Sequence, residues 1–265
     1  MQTAHPHRPY EELRPRDIIR LRDASGCALV PVSPSCEWHA YHLPLGTDAL
    51  ISERLCAAVA ARIPAVWLRA LPLGVDQWRS ASERRAWGLD PALEVFGMNF
   101  PALPLSSETV ADDTLRACVA ARLALLRHNG FRHIILIAHH NGGNQRAVLS
   151  ALAHEYSTPH CHVHAWHTGI FAHGVDMDGT GGHAGYSETH WALAFCPELV
   201  DVHELPEGCL NVAELGILHH EPVIPAQYNP RHCDPAIAQR LRDHVLARCE
   251  EAIRTAMQNS GQLDE

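Results

Sequence analysis

Two textures alternate along this chain: short unbroken apolar runs, and longer stretches in which apolar residues recur every three or four positions. The runs at residues 27–32 (CALVPV), 65–71 (AVWLRAL) and 131–138 (FRHIILIA) have the length and β-branched content of buried strands. Helical patterns follow at residues 49–63, 112–129 and 144–156. Strands alternating with helices predict an α/β fold in which a mostly parallel sheet carries helices on its faces. Asp48 stands where it would cap the helix at 49–63, and Gly130 stops the helix before it.

Other segments are less regular. Residues 75–104 carry Trp78, Trp87, Phe96 and Phe100 with little periodicity, and a segment of that length is expected to cover a site or an interface. A further strand at 160–166 would place His160, His162 and His164 on one face; a solvent or interface strip is preferred there over a metal strip. A glycine-rich loop at 179–189 leads into the apolar helix HWALAFC, and a final helix spans about 235–257. The loop lacks the lysine that a phosphate-binding loop requires. Residues 1–265 read as one domain.

Composition narrows the function. No stretch reaches the roughly twenty apolar residues of a membrane span, and the first residues lack the apolar block of a signal peptide, so a soluble, cytoplasmic protein without membrane partners is expected. A net charge of −9 without a basic patch excludes a nucleic-acid surface. Nine cysteines without a CxxC pair suggest buried thiols, and Cys36 is expected to pack near a site rather than act as a nucleophile.

The chain holds 21 histidines, so only spacing and partners single any of them out. Residues 30–48 (VPVSPSCEWHAYHLPLGTD) place Glu37, His39, His42 and Asp48 behind the first strand without a lysine or arginine among them. Carboxylate mixed with imidazole suits zinc or manganese better than calcium. His139 and His140 follow the strand at 131–138, where α/β sheets place their sites, and the glycines of His139-His140-Asn141-Gly142-Gly143-Asn144 allow a tight turn and close approach. His183 and Glu188 stand in the glycine-rich loop.

In combination these segments resemble the creatininase family. Its pattern near EQHGxHLPLGTD is followed by Glu37 to Asp48 except at Trp38 and Ala40, NGHGGN corresponds loosely to HHNGGN at 139–144, and HAGxxET appears intact from His183 to Thr189. The resemblance implies a three-layer α/β/α domain, a homohexamer, and two divalent ions (Zn²⁺, Mn²⁺ or Fe²⁺) bridged by a carboxylate and a hydroxide. Carried over, Glu37 and His140 would bind one ion, His39 and Glu188 the other, and Asp48 both. His183 would lie beside the substrate, donating a proton or polarising the scissile carbonyl, and His42 would be structural. Because Asn141 stands where the family has its histidine, the nearer His140 is preferred to His139 as ligand.

The implied activity is a dinuclear amidohydrolase acting on a non-peptide C–N bond of a small molecule, a cyclic amide or a formamide. Peptide trimming, lactone hydrolysis and metal storage, to which surface histidines such as His5 and His7 would contribute, are the alternatives. Gly142 replaces an acidic residue of creatininase proper, Gly179 and Thr180 replace its tryptophan and aspartate with Asp176 and Asp178 only nearby, and FPGT is only partly kept as Phe100 to Leu103. Creatinine is therefore not the expected substrate.

Overall fold

The computed structural model describes residues 8–177 and 182–259. Asp178, Gly179, Thr180, His5 and His7 lie outside the described residues. The chain enters through helix α1 (Pro15–Ser25), then strand β1 (Cys27–Pro31), helix α2 (Thr47–Ala60) and strand β2 (Val66–Trp67). Helix α3 (Ala81–Ala86) and helix α4 (Asp112–His128) precede strand β3 (His133–Ala138), helix α5 (Gln145–Tyr156), strand β4 (His162–His167) and helix α6 (Tyr186–Phe195). Strand β5 (Leu210–Asn211) and strand β6 (Val223–Ile224) form a small antiparallel pair flanking helix α7 (Val212–Leu215), and helix α8 (Pro235–Asn259) closes the described chain.

The main sheet runs β2-β1-β3-β4, all parallel, with Cys27 beside His133 and His133 beside His162. Side-chain alternation splits its strands between two cores. Leu29, Ile135 and Ile137 pack with residues of α2, α6 and α8, whereas Ala28, Val30, Ile134 and Leu136 pack with residues of α4 and α5. Burial on both faces is what an all-parallel sheet requires, and it produces three layers, α/β/α.

Strand β2 is shorter than residues 65–71. Leu68 and Leu71 still donate to the carbonyls of Leu29 and Pro31, but between them the N–H groups of Arg69 and Ala70 turn to the carboxylates of Glu11 and Glu53, so the ladder is interrupted. The 75–104 segment is not structureless. Ser80 and Glu83 form a reciprocal capping box that starts α3, Trp78 pairs with Phe96 in an isolated bridge, and Trp87 stacks on Phe100 with ring centroids 5.7 Å apart. His162 lies beside His133, their ring centroids 5.9 Å apart, and among the described residues neither they nor His160 and His164 form a three-ligand cluster. Cys36 is exposed, and its carbonyl accepts the N–H of Glu108.

Candidate metal centre

The site lies at the carboxyl ends of the parallel strands, where diverging loops leave a crevice. After β1 the chain makes a closed loop whose neck is the Glu37 N–H donating to the Leu45 carbonyl over 3.0 Å. Ala40 within it has φ 56°, so this chain keeps at that position a left-handed turn that glycine would adopt without strain. Trp38, the other departure from the resembled pattern, is buried with its Nε1–H on the Leu215 carbonyl. Asp48 does not cap α2. Gly46 is the N-cap and offers no side chain, and Asp48, the second residue of the helix, is buried toward the site.

Each sequence-predicted residue comes to this place. Glu37, Asp48 and His140 bring ligand atoms within 4.8 Å of one another, His39, Asp48 and Glu188 do the same, and so do Glu37, His39 and His183. His140 Nδ1 is 3.0 Å from Glu37 Oε2 and 3.1 Å from Asp48 Oδ2, while its Nε2–H donates to the Val75 carbonyl over 2.8 Å. His39 donates its Nδ1–H to the Glu37 carbonyl over 3.0 Å, leaving Nε2 3.6 Å from Glu188 Oε2 and 4.0 Å from Asp48 Oδ2. His183 donates Nε2–H to the Trp38 carbonyl, and its Nδ1 faces Glu37 Oε1 at 3.6 Å and Glu188 Oε2 at 3.9 Å. The other neighbours stand one step back. His139 bonds Thr168 through Nδ1 and lies 3.6 Å from Glu188 Oε1 outside the three clusters, and His42 bonds Thr189 over 2.8 Å.

Electrostatics separates these groups. Burial opposes charge on His140, yet Glu37 and Asp48 hold its pKa well above the usual value. Burial likewise opposes ionisation of Asp48, but the His140 hydrogen bond and the charge of His39 hold its carboxyl well below the usual range. Glu188 is pushed up to about 7 by burial, against the pull of His39. His183 is lowered to about 4 by burial and by His39, so its Nδ1 carries a lone pair at neutral pH.

The donor set fits a divalent cation. His39 Nε2 and Asp48 Oδ1 are buried without a hydrogen bond, although such atoms are costly to leave unsatisfied, and Glu37 Oε2 has only the His140 ring nitrogen beside it. They are carboxylate and imidazole donors turned toward one another, the mixture zinc and manganese accept.

Two supporting groups carried no sequence signal. Gln145, fully buried, accepts the Val75 N–H over 3.1 Å and donates to the carbonyls of Val32 and Leu73. Asp76 pairs with Arg79 at 2.8 Å beside the site. Gln145 reads in the sequence as the start of a helix, and Asp76 and Arg79 fall in the aperiodic segment; the one available hint was the double glycine before Gln145. A Cβ on Gly142 would lie 2.6 Å from His140 Nε2, and one on Gly143 2.8 Å from the Asp76 carbonyl carbon, so the glycines admit the 75–76 backbone.

Comparison with known proteins gives the family and the fold. The creatininase family, described as creatinine amidohydrolase, matches residues 11–253, and the chain belongs to this family of hydrolases acting on amide bonds. Similar solved structures include a creatinine amidohydrolase (creatininase), at 18% identity and TM-score 0.66 over 94% of this chain and 97% of that one. A mutant creatininase of Zn-Zn type matches at 18% identity and TM-score 0.68 over the same shares, and a creatininase described with Mn at 18% and 0.65 over 94% and 98%. No curated protein matches the chain by sequence.

Proposed function

We propose that this protein is a dinuclear metal-dependent amidohydrolase that cleaves a non-peptide C–N bond, in a cyclic amide or a formamide, of a small polar molecule. The observation that carries the reading is that Asp48 joins the cluster of Glu37 and His140 to that of His39 and Glu188, while Glu37 and His39 share a third with His183. These five residues would hold two ions, zinc or manganese by the chemistry of the donors, with Fe²⁺ also compatible. The chemistry such ions supply when bound is a water ionised near neutral pH and polarisation of the scissile carbonyl.

The chain's own groups supply the rest. Glu188, whose carboxyl pKa burial pushes up in the metal-free protein, would be ionised on holding an ion and would keep its second catalytic contact through His183, whose Nδ1 lies 3.9 Å from its Oε2. His183 would take at Nδ1 the proton given up by the attacking water and pass it to the departing nitrogen, while its Nε2–H on the Trp38 carbonyl fixes the ring. The cavity above these residues has a volume of about 550 Å³, within the range of small-molecule pockets. It is walled in part by Met98, Met177, Trp191 and Leu218.

The reading extends to a single domain acting in the cytoplasm as a homo-oligomer, hexameric by family resemblance, with no nucleic-acid or membrane partner; among the described residues no helix is long and apolar enough to cross a membrane. The test is a screen of the metal-loaded protein against cyclic amides, formamides, lactones and short peptides, with Glu188→Gln as the blank. Turnover of cyclic amides or formamides is expected, and creatinine hydrolysis at ordinary enzyme rates would contradict the substrate class.

A further inference from the structure

The cavity wall holds one guanidinium. Arg79 is the only arginine lining the cavity among the described residues, and the chain contains no lysine. Its side chain is 10% exposed and held on three sides. Nη2 bonds both oxygens of Asp76, at 2.8 and 3.0 Å, Nε donates to the Gly97 carbonyl over 3.0 Å, and the Trp87 ring lies 5.6 Å from its guanidinium carbon.

Nη1 makes no hydrogen bond among the described residues. The backbone is shaped around the pair: a Cβ on Gly97, at φ 57°, would sit 2.6 Å from Asp76 Oδ2, and Gly143, at φ 47°, packs directly on the Asp76 backbone. The same double glycine therefore sets His140 of the metal centre and the Asp76–Arg79 pair in one crevice. A buried ion pair is a poor stabiliser beside an apolar pair of equal volume, so stability alone does not account for a guanidinium with one amino group left over.

We propose that Arg79 is an anion-recognition residue of this cavity and that the substrate is an amide bearing a carboxylate, which Arg79 Nη1 binds while the scissile group meets the metal centre. Asp76 is its positioning residue, fixing the plane of the guanidinium by holding Nη2 and so leaving Nη1 to donate to a carboxylate oxygen. Asp76 already engages one nitrogen, and among the described residues no second arginine lines the wall, so the subsite suits a monoanion better than a phosphate dianion. The inference rests on the amidohydrolase reading for the identity of the scissile group, but not for the anion subsite itself.

The experiment uses matched probes, N-formylglycine and hydantoin-5-acetate against their neutral carboxamides, with the metal-loaded wild type, Arg79→Lys and the double variant Asp76→Asn/Arg79→Gln, which leaves no buried charge unpaired. The expected result is that the wild type prefers the carboxylates and that the ratio of kcat/KM for carboxylate over carboxamide falls about 10- to 100-fold in the variants, mainly through KM. If the double variant does not fold, Arg79→Lys gives a smaller fall in the same ratio. Hydrolysis of both members with a ratio the variants leave unchanged overturns the inference and leaves the amidohydrolase reading standing. If the wild type hydrolyses none of them, that reading loses its support and calorimetric titration of N-formylglycine against its carboxamide decides. Affinity for the carboxylate that drops in the variants carries the anion subsite, and affinity equal across all proteins overturns it.

Discussion

The Nε2–H of His140 donates to the Val75 carbonyl 2.8 Å away, which turns the Nδ1 of the same ring toward Glu37 and Asp48. An acceptor on one ring N–H selects the tautomer that leaves the lone pair on the other nitrogen and holds the ring in place, so a backbone carbonyl in the loop after β2 fixes the orientation of a ring in the loop after β3. That carbonyl is itself held by Gln145, through the Val75 N–H.

Gln145→Leu removes this hold without touching the proposed ligands. It leaves the Val75 N–H and the Val32 carbonyl without their buried partner, for a loss of about 1–3 kcal/mol in denaturant unfolding of the metal-free protein. Metal affinity, read by competition with a chromogenic chelator, is expected to fall about 10- to 100-fold. An unchanged affinity would mean that Val75 does not orient His140.

His183→Ala addresses chemistry rather than binding. If His183 hands a proton to the leaving nitrogen, the variant keeps both ions and loses turnover by about 10²- to 10⁴-fold on a substrate found by the screen. Loss of an ion instead would assign His183 to the ligand cluster it shares with Glu37 and His39. Full turnover with both ions present would remove it from the mechanism.

His133 stands at the start of β3, seven residues before His140 and at the other end of the strand, and is buried on the sheet beside His162. Burial and the neighbouring His162 lower its pKa from 6.5 to about 4, so the fold refuses a proton that the unfolded chain accepts. As pH falls from about 6.5 to about 4, this histidine therefore subtracts stability, and below that window its contribution is constant. Urea midpoints across the window should fall less steeply for His133→Gln than for the wild type. Parallel curves would show that His133 titrates normally.

Much of this arrangement was legible in the sequence for identifiable reasons. The apolar runs and 3.6-residue patterns locate β1, β3, α2, α4 and α5 within three residues of their observed ends, because each is buried against a core that demands continuous hydrophobicity. Helix α1 escaped notice because Leu21 is its only buried residue among many charged ones. Residues 65–71 read as one strand, but side-chain carboxylates of Glu11 and Glu53 capture two of its N–H groups, a long-range event invisible to local pattern.

At the site, Glu37, His39 and Asp48 stood out because carboxylate and imidazole crowd one arginine-free stretch, and the structure brings them together with His140, His183 and Glu188. For Asp48 the local reading, a helix cap, gave way to a buried side chain one residue inside the helix. The contributions of Val75 and Gln145 had no such signal, since a backbone carbonyl has no residue identity and a buried glutamine resembles any other helix start.

Asp48 is where the account is most exposed to test, because it alone belongs to both proposed ion sites. The direct measurement is metal content per chain by plasma mass spectrometry after dialysis, for the wild type and Asp48→Ala, with circular dichroism confirming the fold. The expected result is about two tightly held ions in the wild type and loss of both in the variant. Two ions retained by Asp48→Ala, or many weakly held ions in both proteins, would contradict it.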